Sequence, residues 1–523
     1  MRAYLVGSGL ASLAAAVYLI KDGGLSGSDI TIYEARTAVG GSLRLGGSWE
    51  KGFVFPGARV FEKQYRCALE LFSLIPSRSD PSKSIKDEIL EFNKDFGWDN
   101  KSRLIDSDGR VVRSPGLRLR HVAGLIRLLL TTERLLDGKP IKECVPDDFF
   151  DTNFWYAWSS IMAFLPEHSA IEMRRYMLRF FHLLSDLWRE RLIFRTKYHQ
   201  QQAIVDPIVA WLRKRNVSFV TNAVVTNVLF VSGPQGTITA NGLQLVVNGQ
   251  ETTLKIASND VVMVTNGSQV AHYSIGSMTE PPVPNYDAAS APEWALWSSI
   301  AQGRPDFGQP NTFTGDLGRS KWVSFTITST HPRFEDPVRA ITGREPGRGG
   351  LISFKRSNWL ITIVVFHQPE LIDQPPGTFL SWGYGMYPDR PGNFVQKPMT
   401  ECTGSELLEE LVGHLRLDAH QNEILATSIC IPCLIPYASS VCLLRKITDR
   451  PQVMPKGSTN FAFVGQFCEQ PEDVVFTMEY SVRSARTAVC ELLHTGRKPP
   501  PVYKGYLNPK VLLRTAGTLL SSA

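Results

Sequence analysis

The sequence predicts an α/β fold: a Rossmann-like dinucleotide-binding domain, an inserted substrate-binding domain and a helical C-terminal part. Three observations carry this. Residues 3–34 run strand, glycine turn, small-residue helix, strand, acid. Asp260-Val-Val-Met-Val-Thr-Asn266 carries the apolar core Val261–Val264, of the kind buried in parallel sheets, and ends in a polar turn. Asn460-Phe-Ala-Phe-Val-Gly465 repeats the strand-then-glycine pattern ahead of a second helix.

The first unit is the most informative. Tyr4-Leu-Val6 leads into Gly7-Ser8-Gly9, and Ala11, Ser12 and three further alanines give the next helix a thin face. Gly7 permits a tight turn, and Gly9 lets the backbone approach a pyrophosphate held at the positive end of the helix. Ser12 stands where a third glycine is usual and is small enough for close helix–strand packing. Glu34 ends Ile30-Thr-Ile-Tyr33, where a carboxylate accepts hydrogen bonds from ribose hydroxyls. The 25 residues from Gly9 to Glu34 accommodate an enlarged loop at Asp22–Ser28. A signal peptide is disfavoured, because glycines interrupt the apolar stretch and Lys21-Asp22 follows it. Gly40-Gly41-Ser42, just past the acid, is a second glycine pair typical of flavoproteins and favours FAD over a nicotinamide.

The chain has 523 residues, 43% of them hydrophobic and 20% charged, which excludes a disordered protein and calls for two or three subdomains. A net charge of +6 is too small at this length to indicate a nucleic-acid partner. No apolar run approaches the roughly 20 residues needed to span a bilayer, so no transmembrane segment is expected and any membrane contact is peripheral. Eight scattered cysteines fit a reducing, cytoplasmic compartment, and Cys430-Ile-Pro-Cys433 lacks a second pair for a metal; no metal site is expected.

Residues 1–60 form the first part of the dinucleotide domain. Residues 61–202 form a mainly helical part of the substrate domain, with a helix at 65–75, a polar, turn-rich excursion at 77–118 and helical pattern over 119–190. The aromatic run from Phe154-Trp-Tyr-Ala-Trp158 to His182 suits either an apolar cavity or plain core. Residues 203–268 return to the dinucleotide domain with a β insertion. A helix at 203–213 precedes strands at 217–220 and 224–230, where a backbone group near Val225 would meet an adenine. The buried strand at 260–268 ends in the polar turn Asn266-Gly267. Residues 269–450 form the substrate-binding region, loop-rich to 350, with strand pattern at 351–366 and a helix at 404–416. Residues 451–523 close the dinucleotide domain with Gly465-Gln466-Phe467 and a helix over 476–489, then add C-terminal helices.

Over residues 3 to about 515 the chain resembles the oleate hydratase family, also called the myosin-cross-reactive antigen family. The resemblance rests on Gly7-Ser-Gly-Leu-Ala-Ser-Leu-Ala-Ala-Ala-Val-Tyr-Leu-Ile20, Gly40-Gly-Ser-Leu43, Phe154-Trp-Tyr-Ala-Trp-Ser-Ser-Ile-Met-Ala-Phe164 and Glu172-Met-Arg-Arg-Tyr176. It also rests on Asp449-Arg-Pro451, Val464-Gly-Gln-Phe467 and Phe476-Thr-Met-Glu-Tyr-Ser-Val-Arg483. It implies an FAD-binding enzyme that adds water to an isolated cis double bond of a fatty acid without net redox change, and often a homodimer. The chain stops at Ala523, where many relatives carry a longer extension that helps at membranes, which weakens the expectation of a membrane-lipid substrate. Hydration requires a well-placed acid near one alkene carbon and a base that activates water near the other.

The family's Arg-Gly-Gly-Arg-Glu-Met-Glu stretch corresponds here to Pro56-Gly-Ala-Arg-Val-Phe-Glu62. Gly57, Arg59 and Glu62 match, but Val60 replaces the acidic residue, and valine transfers no proton. A downstream Tyr-Asn-Gln-Tyr-Glu-Ser stretch reads Tyr198-His-Gln-Gln-Gln-Ala203. Tyr198, His199 and Glu62 are therefore the candidate acid–base residues, and Arg59 joins the candidate FAD-binding set. The Ile435-Pro-Tyr437 segment resembles a family segment near the carboxylate end with fewer polar positions. Hydration, double-bond isomerisation and cyclisation of an apolar unsaturated fatty acid, polyketide or terpenoid all remain open. A flavin-dependent oxidoreductase or desaturase, and a degenerate lipid-binding flavoprotein, are the alternatives.

Overall fold

The computed structural model describes residues 1–57, 59–96, 101–112, 114–186, 193–343, 345–347 and 349–520. A parallel five-stranded sheet forms the first centre, in the order Phe461–Val464, Val261–Thr265, Ala3–Val6, Ile30–Tyr33, Ser218–Val220. Its strands come from three distant parts of the chain. The helix Leu10–Lys21 leaves the central strand, and Ala11, Ala14, Ala15 and Ala16 are buried along it. These small side chains allow close packing against the C-terminal helix Met478–Leu492. A three-stranded antiparallel sheet, Gln250–Lys255, Ile238–Val247 and Ala223–Ser232, forms the β insertion.

The second centre is a seven-stranded mixed sheet. Its order is Ser274–Ile275, Ser428–Ile435, Trp322–Ser329, Phe379–Gly385, Thr362–Val365, Gly349–Phe354, Lys101–Ile105. The strand Trp322–Ser329 is buried along its whole length, with its two faces serving different cores. Val323, Phe325 and Ile327 pack with the helix Gly404–Leu415, whereas Trp322 packs on the opposite side with Trp382, Tyr384 and Phe55. The period of two places Thr326 and Thr328 on the second side, where their hydroxyls accept the Phe55 and Phe53 amides at 3.0 and 3.1 Å. Those bonds hold residues 52–56 against this sheet, although they lie close in sequence to the dinucleotide unit.

Several expectations need adjustment. The excursion at 77–118 contains the helix Ile85–Phe96 and the strand Lys101–Ile105. The loop-rich stretch at 269–350 contains the helix Pro292–Ala301 and the strand Trp322–Ser329. The aromatic run resolves towards core: Phe154 and Trp158 stack at 6.0 Å with 8° between their planes, and both are buried. The helical stretch over 119–190 includes Leu119–Leu130, Asn153–Met162 and Ala170–Arg179, and its last residues lie outside the described ones. Cys430 and Cys433 are free and buried on opposite faces of their strand, so they share neither a bond nor a ligand. No described helix is long and apolar enough to cross a membrane.

Candidate functional site

Two cavities of similar size meet inside the molecule. The first is a cleft along the carboxyl ends of the parallel strands, where ligands bind in open α/β sheets. Gly7, Ser8, Gly9 and Ala11 line it, as do Glu34, Gly41, Ser42, Arg59, Val225 and Gly267. Gly465, Gln466 and Phe467 complete the predicted residues in its wall.

The local chemistry fits a dinucleotide. Gly9 is the N-cap of the helix Leu10–Lys21 and has no side chain to cap it, leaving the helix N-terminus available to an anion. A Cβ on Gly9 would meet only the Gly41 Cα, at 4.0 Å, so its missing side chain leaves open space. Gly41 has φ of 58°, and a Cβ there would sit 2.9 Å from the Gly9 Cα. The two glycines therefore let two backbone segments approach each other beside the cleft. Glu34 accepts from the Ser8 amide and hydroxyl at 3.0 and 2.5 Å and from the Arg36 amide at 2.9 Å. A carboxylate has about four acceptor positions, so one is left for a ligand hydroxyl.

Ser12, Gly40 and Asn266 stand behind the wall rather than in it. The Ser12 hydroxyl lies 3.0 Å from that of Thr265, which does line the cleft. The Gly40 amide donates to the Ser8 hydroxyl at 3.2 Å, and Asn266 Nδ2 donates to the Phe467 carbonyl at 3.1 Å. Each shapes the cleft through a neighbour. Sequence reasoning missed Arg36 and Glu293, which pair at 2.6 Å in the cleft wall, because Glu293 comes from a helix 257 residues away. It also missed Thr477, whose hydroxyl caps the helix Met478–Leu492 by accepting the Tyr480 amide; the Thr-x-x-Tyr spacing at that helix start was the available signal.

The second cavity is mostly apolar, with Phe55, Trp322, Val364, Phe366, Trp382 and Ile435 in its wall. Arg59, Gln269 and Val270 line both cavities, so the cleft and the apolar cavity adjoin there. The Arg59 guanidinium lies 4.6 Å from the Phe476 ring centre, and burial lowers its pKa to about 10. Val60 is 43% exposed and lines the cavity beside it. Ala58, the other departure in that stretch, lies outside the described residues.

Of the three acid–base candidates, only His199 lines this cavity. Its ring centre is 4.4 Å from that of Phe55, and burial pushes its pKa down to about 3. Its Nδ1 accepts the Gln201 amide at 3.2 Å, so the neutral ring carries its proton on Nε2. Tyr198, expected as a proton donor, is not in the cavity wall; its ring instead carries Lys197 Nζ at 5.1 Å. Successive residues of this segment project in different directions, and His199 takes the inward place. Glu62 does not line the cavity either. It is buried away from both cavities and accepts from Arg179 at 2.7 Å, the Gln64 amide at 3.0 Å and His182 at 3.2 Å. Burial alone would raise its pKa, but His182 and Arg179 outweigh burial and hold it below the usual carboxylate range. Its charge belongs to a structural ion cluster.

The cavity wall contains one acid that sequence reasoning did not single out. Glu370 is only 8% exposed, and burial raises its pKa well above the usual carboxylate range. No motif surrounds it in the sequence.

The Glu172-Met-Arg-Arg-Tyr176 and Asp449-Arg-Pro451 motifs meet elsewhere. Glu172 is fully buried between Arg445 at 2.7 Å and Arg450 at 2.8 Å, with Arg175 bound to Glu469 at 2.5 Å nearby. These motifs hold helix Ala170–Arg179 to the C-terminal part rather than line a cavity.

Comparison with known proteins agrees with this architecture. The chain is 36% identical over 524 residues to an oleate hydratase of Streptococcus pyogenes, covering 98% of this chain and 88% of that protein. It is 31% identical over 529 residues to a linoleate hydratase of Lactiplantibacillus plantarum, covering 93% and 92%. Among solved structures, cyclohexylamine oxidase from Brevibacterium oxydans superposes with a TM-score of 0.58 at 13% identity, covering 94% of this chain and 98% of that one. An oxidoreductase from Methanosarcina mazei gives 0.53 at 13% identity, covering 94% and 100%. These structural likenesses establish the shared fold. The family model described as the MCRA family matches residues 1–490, and the chain belongs to that family.

Proposed function

We propose that this protein binds FAD in the cleft and carries out redox-neutral chemistry on a cis double bond of an unsaturated fatty acid in the apolar cavity. The observation that carries the proposal is the shared wall: Arg59, Gln269 and Val270 bound both spaces, so a long apolar chain can lie against the inner end of the cleft. The hydratase relatives support fatty acids as the substrate class.

In this proposal, Gly9 and the helix N-terminus hold the pyrophosphate, and Glu34 holds a ribose hydroxyl. Bound FAD supplies a fixed, polar surface beside the double bond. The aromatic wall excludes water and confines the chain, and Arg59 places a positive charge where the two spaces meet.

Water addition is the leading outcome. Double-bond isomerisation is the second reading, favoured by Val60 in the cavity wall, since it leaves one acid fewer to serve both ends of a hydration. Incubation of the FAD-loaded protein with oleic and linoleic acids, followed by mass spectrometry, tests the proposal. A product heavier by one water supports hydration, and one of equal mass with a moved double bond supports isomerisation. A product lighter by two hydrogens, with flavin bleaching, would establish an oxidoreductase instead. Binding without turnover would establish a lipid-binding flavoprotein.

A further inference from the structure

We propose that Glu370 is the proton donor to the double bond, in place of the acid missing at Val60. The assignment rests on the alkene chemistry proposed above and deepens it.

The geometry begins with how three chain segments converge on one part of the apolar cavity. Gln200 Nε2 donates to the Arg59 carbonyl, tying the segment around His199 to Arg59 and Val60. On its other side, the His199 amide donates to the Glu370 carbonyl at 2.8 Å. Val60, His199 and Glu370 all line the cavity. Glu370 thus enters the same space that a side chain at 60 faces, from the opposite edge of one strap.

Its position is fixed by its own surroundings. Gln374 Oε1 accepts both the Glu370 amide, at 2.7 Å, and the Leu371 amide, at 3.1 Å. Gln202 Oε1 accepts the Ile372 amide at 2.9 Å. The backbone that carries the acid is therefore held on both sides of the strap. Among the described residues, the carboxyl oxygens of Glu370 have no hydrogen-bond partner. This contrasts with Glu62 and Glu172, which arginines hold as anions. Burial without an ion pair favours the protonated form of this carboxyl, and only that form can donate.

Arg195 is the cation that acts on Glu370 and partly offsets the effect of burial. Arg59, His199 and His367 share the cavity wall. His199 is neutral with its proton on Nε2, so it can donate a hydrogen bond but cannot take a proton from the acid at that atom.

The step balances without an oxidant or reductant. The O–H bond of Glu370 breaks, and the alkene π pair forms a C–H bond at one carbon. In hydration, a water oxygen bonds to the neighbouring carbon and its surplus proton returns to the Glu370 carboxylate. In isomerisation, the carboxylate instead takes a proton from the adjacent allylic carbon. Either route regenerates the acid.

The test uses the FAD-loaded full chain and oleic acid with wild type, Glu370→Gln and Glu370→Asp. The expected result is a fall in turnover of about 10²- to 10⁴-fold for Glu370→Gln, with FAD content and oleate affinity unchanged. Glu370→Asp recovers part of the rate. Wild-type turnover falls as pH rises through the Glu370 pKa, and the residual rate of Glu370→Gln loses that limb. Turnover of Glu370→Gln within about threefold of wild type overturns the assignment while leaving the alkene reaction standing. A wild-type protein that consumes no unsaturated fatty acid overturns the reaction itself, and the assignment with it. If Glu370→Gln fails to bind FAD, infrared spectra of wild type and Glu370→Asp decide. A neutral carboxylic-acid band that shifts in the aspartate variant supports the role, and no such band at pH 7 overturns it.

Discussion

The Ser8 amide and hydroxyl both donate to the same oxygen of Glu34, at 3.0 and 2.5 Å, so the acid ending one strand fixes the glycine turn that follows another. This acid organises the turn as well as facing the cleft. Glu34→Ala removes the acceptor for three donors at once. Hydrogen bonds to a charged group contribute about 1.5–3 kcal/mol each. We expect FAD affinity to fall by roughly 10- to 100-fold, measured by fluorescence titration of the apoprotein.

Gly9→Val separates cofactor binding from folding. The Cβ position at Gly9 is open apart from the Gly41 Cα. The protein is expected to fold, with a small loss from the poorer N-cap. FAD affinity should fall on the order of 100-fold, because the new side chain occupies the pyrophosphate position. Flavin content and thermal unfolding of the apoprotein, measured together, check both halves.

Glu172 makes the stability of the fold sensitive to acid. Burial acts to raise its pKa, but Arg450 and Arg445 outweigh burial and lower it to about 2. Its folded-state pKa therefore lies below the unfolded value of about 4.3, so its contribution is complete above that value and is lost as pH falls towards 2. Glu172→Gln leaves two buried arginines undercompensated and should cost about 3 kcal/mol at pH 7. Denaturant titrations at pH 7 and pH 4 check the size and the direction.

His199 gives a second acid-dependent term. Its folded-state pKa of about 3 lies below the unfolded value of about 6.5. Between these values the unfolded chain binds a proton that the native protein does not. Stability therefore falls as pH drops through this window, by up to about 1.4 kcal/mol per pH unit. His199→Gln is expected to flatten that slope, and unfolding midpoints from pH 7 to pH 4 show it.

Val60→Glu returns an acid to the cavity wall beside Arg59. We expect the hydrated product to increase relative to any isomer, by about tenfold or more in rate, read from product ratios with oleic acid.

The dinucleotide unit was legible in the sequence because its signals are local. Gly7, Gly9 and Glu34 lie within one strand–helix–strand segment, and each residue type answers a backbone or ligand requirement at its own position. The strand Val261–Thr265 was also legible, since burial on both faces writes a continuous apolar run. The strand Trp322–Ser329 was missed although its alternation Val-Ser-Phe-Thr-Ile-Thr is a strand signal; what no local signal showed is that Thr326 and Thr328 bind the backbone of residues 53 and 55 rather than solvent. The apolar cavity was illegible for a related reason. Its wall gathers Phe55, His199, Glu370 and Ile435 from segments far apart in the chain. Tyr198 and His199 are adjacent in sequence, yet only one faces the cavity. Glu370 looks like any loop glutamate until tertiary packing removes water from it.

Protonation of an alkene in this cavity without net electron transfer places one solvent-derived hydrogen on carbon and leaves the flavin oxidised. Anaerobic incubation of the FAD-loaded protein with oleic acid in D₂O, with flavin absorbance followed throughout, tests it most directly. The expected product carries one carbon-bound deuteron for each turnover, with an oxidised flavin spectrum that does not change with substrate conversion. A product lacking carbon-bound deuterium and two hydrogens lighter than the substrate, formed as the flavin bleaches, would contradict it.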